Sequence, residues 1–129
     1  MEIPKDLKLI PGEIADYHFG EDGILVSYSK PIKRTVELIA GNVTLVKQIT
    51  ANKPVPLLIY LCDSPIPDKA TRKYSTEQLP VIYKAMAMVS KPGLSSMIMR
   101  ILFKFQKPPI PMKSFTNDRE AREWLKQFC

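Results

Sequence analysis

A chain of 129 residues, 45% hydrophobic and 25% charged with only 5 Gly, has the size and composition of one globular domain, which excludes a disordered, collagen-like or disulfide-scaffold polypeptide. Its net charge of +6 is unevenly placed: residues 1–66 hold 7 Lys/Arg against 8 Asp/Glu, and residues 67–129 hold 12 against 5, so attraction for an anionic partner resides in the second half. Aromatic residues are not interleaved with those charges as a base-stacking platform requires, and no nucleic-acid partner is expected.

Prolines divide the chain into short elements. Residues 14–19 and 24–29 alternate polar with β-branched or aromatic residues on either side of Gly20-Glu21-Asp22-Gly23, the pattern of a β-hairpin. From Thr35 to Ile49, Val36, Ile39, Val43 and Val46 recur at helical spacing, widened by Leu38, Leu45 and Ile49, which predicts a helix that packing must hold because its β-branched residues and Gly41 disfavour it. The run Val55 to Cys62 is apolar on consecutive residues, as a strand covered on both faces is, and it is the candidate central strand. Pro65 and Pro67 force a loop, and Asp68 can cap an exposed helix from Lys69 to about Gln78. Ile82 to Val89 is ambiguous in period; its shortness and the stop at Ser90-Lys91-Pro92-Gly93 favour a strand.

Leu94 to Phe105 carries the clearest helical stripe, formed by Leu94, Met97, Ile98, Ile101, Leu102 and Phe105. Pro108, Pro109 and Pro111 end it, and Met112 to Phe115 makes a short strand. Asn117 and Glu120 have the spacing of a capping box before a last helix striped by Ala121, Trp124, Leu125 and Phe128. The order β-β-α-β-α-β-α-β-α predicts an α/β domain with a mixed sheet of five strands, preceded by an extended segment over residues 1–13.

No basic region followed by an apolar core opens the chain, and no apolar run reaches the ~18 residues that span a bilayer, so a cytoplasmic protein without a transmembrane segment is expected. In that compartment Cys62 and Cys129 remain thiols.

No metal, cofactor or catalytic set is legible. His18 is the only histidine, with no ligand-spaced neighbour. Ser64, Ser95 and Ser96 lack a His at a recognisable spacing, and no Gly-rich phosphate loop occurs. Asp16, Glu21 and Asp22 cluster on the hairpin, where carboxylates are ordinarily solvated. The expectation is a non-enzymatic protein.

One element holds more apolar surface than a core helix needs. Beside the stripe of Leu94 to Phe105, Met99 and Phe103 lie next to Arg100 and Lys104. Met97, Met99, Arg100, Phe103 and Lys104 are therefore the candidate contact or ligand-lining residues. Exposed, they would suit a homodimer, the groove of another protein partner or an anionic lipid surface. A helix packed on two sides would be apolar nearly all round for purely structural reasons.

The segments Gly23 to Ser29, Pro56 to Leu61, Leu94 to Pro111 and Lys113 to Phe128 together resemble uncharacterised bacterial proteins of the SpoIIAA-like, STAS-type group, which share a fold with CRAL-TRIO lipid-binding domains. In anti-sigma factor antagonists of that group, a Ser following an Asp at the end of the central strand is phosphorylated, and the loop continues Ser-Gly into a helix. Asp63-Ser64 holds that place here, making Ser64 a possible phosphorylation site, but Pro65 follows where the group has Ser-Gly, so helix start and kinase recognition do not carry over. The resemblance implies a protein-interaction or regulatory module of unknown partner. Alternatively it implies a carrier whose helix over Leu94 to Phe105 covers a small apolar or lipid ligand, with Met86, Met88, Met97 and Met99 as adaptable lining.

Overall fold

The computed structural model describes residues 8–103 and 107–129. Five strands make one sheet in sequence order: β1 (Ala15–Phe19), β2 (Leu25–Ser29), β3 (Val55–Tyr60), β4 (Tyr83–Val89) and β5 (Met112–Phe115). β1 and β2 pair antiparallel, Tyr17 opposite Ser27, and every later neighbour is parallel, with Leu58 between Val26 and Ala87. The mixed five-stranded α/β sheet is thus present. The hairpin turns as its glycines suggest: Gly23 takes φ +85 and its N–H donates to the Gly20 carbonyl at 3.1 Å. Ahead of it, Ile10 and Tyr17 exchange two backbone hydrogen bonds, of 2.7 and 2.9 Å.

Three helices supply the parallel crossovers: α1 (Val36–Ile49), α2 (Lys69–Ile82) and α3 (Leu94–Phe103). Consecutive right-handed crossovers between adjacent strands must pile their helices on one face. The packing agrees, since Val43, Val46, Leu79, Ile82 and Met99 join Tyr17, Leu25, Leu57, Met86 and Met88 in one cluster. The opposite face belongs to α4 (Asp118–Leu125), which continues as a 3₁₀ turn over Lys126–Phe128. There Ala121 and Leu125 pack on Val26, Leu58, Ala85, Ala87 and Val89. Because side chains alternate across a sheet, β3 contributes Leu57 to one layer and Leu58 to the other. That double burial explains its unbroken apolar run.

Helix starts follow local chemistry. Thr35, Asp68 and Asn117 each accept from the backbone N–H three residues on, Leu38, Thr71 and Glu120, satisfying donors that the first turn orphans. One polar tie crosses the larger core: the Tyr17 hydroxyl donates to Asn42 Oδ1 at 2.6 Å. Burial raises the pKa of this phenol, so it stays a donor at neutral pH.

Boundaries differ from the expectation in several places. α2 runs past Gln78 to Ile82 and passes directly into β4 at Tyr83. Pro80 lies in its last turn, where one forgone backbone bond is tolerable, and the Tyr83 N–H still reaches the Leu79 carbonyl. β3 stops at Tyr60, although Leu61 N–H donates to the Val89 carbonyl at 3.0 Å. Residues 104 and 105, which the expected helix included, lie outside the described residues.

Candidate functional site

The parallel strands β2 to β4 all point their C-terminal ends the same way, where ligands bind in open α/β sheets. Beyond β3 the chain leaves as Leu61-Cys62-Asp63-Ser64-Pro65-Ile66-Pro67. Two prolines keep it out of a helix until Asp68 caps α2. The loop is fastened on three sides. Cys62 Sγ donates to the Ser29 carbonyl at 3.3 Å, Lys91 Nζ pairs with Asp63 Oδ2 at 2.9 Å, and Arg72 donates to the Pro67 carbonyl at 2.7 Å.

Between this loop, the ends of β2 and β3, and α3 lies an open cavity of about 210 Å³. Leu94, Met97, Ile98, Ile101 and Leu102 of α3 form one wall. Ile59 and Leu61 belong to the sheet side, and Cys62 to Pro67 to the loop. A cavity of ~150 Å³ holds benzene, whereas drug-sized ligands occupy about 300–1,000 Å³. This one fits a small or slender molecule.

Its lining includes one permanent charge. Arg34, in the turn before α1, folds back so that Nη1 donates to the carbonyls of Lys30 and Ile32, both at 2.6 Å, and Nη2 to that of Ile14 at 3.0 Å. Among the described residues no carboxylate lies within 4.0 Å of it. Burial lowers its pKa, partly offset by Cys62 and Tyr17, but a guanidinium remains charged at any ordinary pH.

The structure distributes the residues singled out on α3 differently from their place in the stripe. Five members of the stripe, Leu94, Met97, Ile98, Ile101 and Leu102, line the cavity, with Met97 44% exposed; the sixth, Phe105, lies outside the described residues. Met99 packs against the core, and Phe103, the residue whose exposure would have marked a contact surface, is only 6% exposed. Ser95, Met99 and Phe103 follow one another at a spacing of four and define the seated edge, with Ser95 and Phe103 buried. The polar side of the helix, Ser96 and Arg100, both exposed, is narrow, and the broad apolar arc around it does not say which part of the arc is seated. Arg100 is exposed and does not reach the cavity, and Lys104 lies outside the described residues. Met86 and Met88 are core residues. Ser64 is exposed at the cavity rim, in extended chain and not at a helix start.

Sequence reasoning missed Arg34, Ile59 and Ile66. The rule that places ligands at strand C-termini would have drawn attention to the loop after β3; nothing local marked Arg34. His18 and Asp16 lie on β1, and Asp16 pairs with Lys30 at 3.2 Å. Among the described residues no three His, Cys, Asp or Glu side chains gather as a metal site would require, and no helix is long and apolar enough to cross a membrane.

The profile of a domain of unknown function, DUF7793, matches residues 18–129. The chain belongs to the DUF7793 family. No curated protein matches it. Among solved structures, this DUF7793 chain is similar to an uncharacterised protein from the DUF3478 family with a SpoIIAA-like fold, from Shewanella loihica PV-4. The two share 19% identity, the likeness covers 96% of this chain and 99% of that one, and the TM-score is 0.61. At that identity the likeness establishes the SpoIIAA-like fold of the DUF7793 domain and nothing about its ligand.

Proposed function

We propose that this DUF7793 domain is a non-enzymatic binding protein that holds a small apolar or lipid-like molecule in the cavity between α3 and the ends of β2 and β3. The observation that carries the reading is the outward stripe of α3. Of the five apolar side chains of α3 that line the cavity, Leu94 is buried, Met97 is exposed, and Ile98, Ile101 and Leu102 stay partly exposed beside the open space. Leaving that much apolar surface beside open space is unfavourable by ~25 cal/mol per Å² unless something covers it. Methionine suits such a wall, since its unbranched side chain adapts to different shapes.

Isothermal titration calorimetry with 1-octanol tests this. Burying seven methylene equivalents at ~0.8 kcal/mol each corresponds to a Kd on the order of 0.1 mM, with a negative heat-capacity change. Ile101→Trp, which fills the cavity from α3, should abolish the heat without unfolding the chain. Absence of binding by the native chain, or undiminished binding by the filled variant, refutes the proposal.

A second reading, a protein-interaction or regulatory module, is favoured by a different observation. Met97 and Ile66, 44% and 58% exposed, both line the cavity, one from α3 and one from the loop after β3, and an exposed apolar pair of this kind suits a protein contact. The two readings separate on concentration. A module that pairs with a second copy sediments as a dimer that Met97→Glu dissociates, while a carrier remains monomeric and loses octanol with the same substitution.

A further inference from the structure

We propose that the cavity beside α3 selects a slender aliphatic molecule ending in a carboxylate, with Arg34 as the group that receives the head. The inference rests on the reading of the cavity as a ligand site and adds the ligand's charge and orientation. An apolar wall on α3 and a cation in the turn after β2 line the same space, the arrangement an amphiphile complements and a plain hydrocarbon does not.

The donors of Arg34 narrow the head group. A guanidinium has five N–H donors. Three serve the carbonyls of Lys30, Ile32 and Ile14, which fixes the plane of the group before any ligand arrives. The remaining two, one on Nε and one on Nη2, have no acceptor among the described residues, and the Nε–H and Nη2–H of a guanidinium are the pair that can meet both oxygens of one carboxylate. The backbone carbonyls orient the guanidinium but leave its full charge uncompensated, and one carboxylate would neutralise it. A dianionic phosphate would bring an excess negative charge towards Asp63, the other ionised group on the lining. Asp63 is itself held by Lys91 at 2.9 Å, which limits its repulsion of a singly charged head.

The test compares octanoate with 1-octanol on the full chain by calorimetry near neutral pH. Octanoate should bind about tenfold or more tightly, as expected of a charge-assisted pair relative to a neutral one. Arg34→Met should remove that preference while 1-octanol still binds, which also establishes that the cavity survives the substitution. Because Arg34 also ties three carbonyls and its loss could unfold the chain, a second measurement uses the native protein. With octanoate labelled with ¹³C at the carboxyl, the bound carboxyl should titrate about one pH unit or more below the free acid, the equivalent of tenfold. Equal or weaker binding of octanoate, or a bound midpoint at or above that of the free acid, overturns the assignment to Arg34 and leaves the apolar cavity standing. Failure of both molecules to bind overturns the ligand site itself.

Discussion

Truncating Leu58 to alanine probes the layer that α4 closes. Leu58 is fully buried at the middle of β3, paired with Val26 on one side and Ala87 on the other, beneath Ala121 and Leu125. Removing three carbons forfeits about 2.4 kcal/mol of transfer free energy at ~0.8 kcal/mol each. Its neighbours Ala85, Ala87 and Ala121 are too short to collapse into the gap, so a cavity term should bring the total to about 3.5–4 kcal/mol, within the range seen for buried Leu→Ala changes. Ile59→Ala, one residue along, removes as many carbons from the other face, yet Ile59 is only partly buried and already borders open space. Its cost should be about 1.5–2 kcal/mol, because part of the removed surface stays in water in the folded state and no closed cavity is left behind. Urea unfolding followed by the fluorescence of Trp124, which packs on the same layer as Leu58, measures both. The m-value should be unchanged, showing the folded and unfolded states to be the same in compactness. Equal losses at the two sites, or the larger one at Ile59, would refute the assignment of β3's faces.

Two further outcomes follow from the helix caps. Asn117→Ala removes the acceptor that takes the Glu120 N–H at 2.9 Å and should cost about 1 kcal/mol, read as a Tm lower by about 2–4 °C. Asp68 accepts from Thr71 at 2.8 Å, and this backbone hydrogen bond holds its carboxyl below the usual Asp range. Since the folded pKa is the lower one, its contribution is complete above the unfolded value near 3.9 and disappears as pH falls through the folded value. Carbon-detected NMR should place the Asp68 midpoint below that of a model peptide. Asp68→Asn, which caps without titrating, should remove this part of the acid sensitivity while preserving stability at neutral pH.

Much of the fold was legible because strong local signals coincide with element boundaries. Asp68 and Asn117 announce helices, Gly20 to Gly23 a hairpin, and the apolar run of β3 its place between two layers. Legibility failed where several burial patterns share one sequence. α3 is apolar over most of its circumference, so its spacing establishes a helix without saying whether Met97 or Phe103 is the buried one; tertiary packing buries Phe103 and leaves Met97 44% exposed. The helix expected to stop near Gln78 runs on to Ile82, since Pro80 falls in its last turn, where proline disrupts far less than in a helix interior. Arg34 was invisible as a site residue because what makes it one is the company of β3 and α3, remote in sequence. One of the carbonyls that hold it, that of Ile14, is 20 positions away.

Occupation of the cavity is most directly tested through methionine methyl groups. Met97 borders the cavity, whereas Met86 belongs to the core and pairs in register with Met112. In a methyl-¹³C methionine spectrum of the native chain, saturating 1-octanol should displace the Met97 resonance and leave those of Met86 and Met112 in place. A silent Met97, or uniform movement of all three, would contradict a ligand site beside α3.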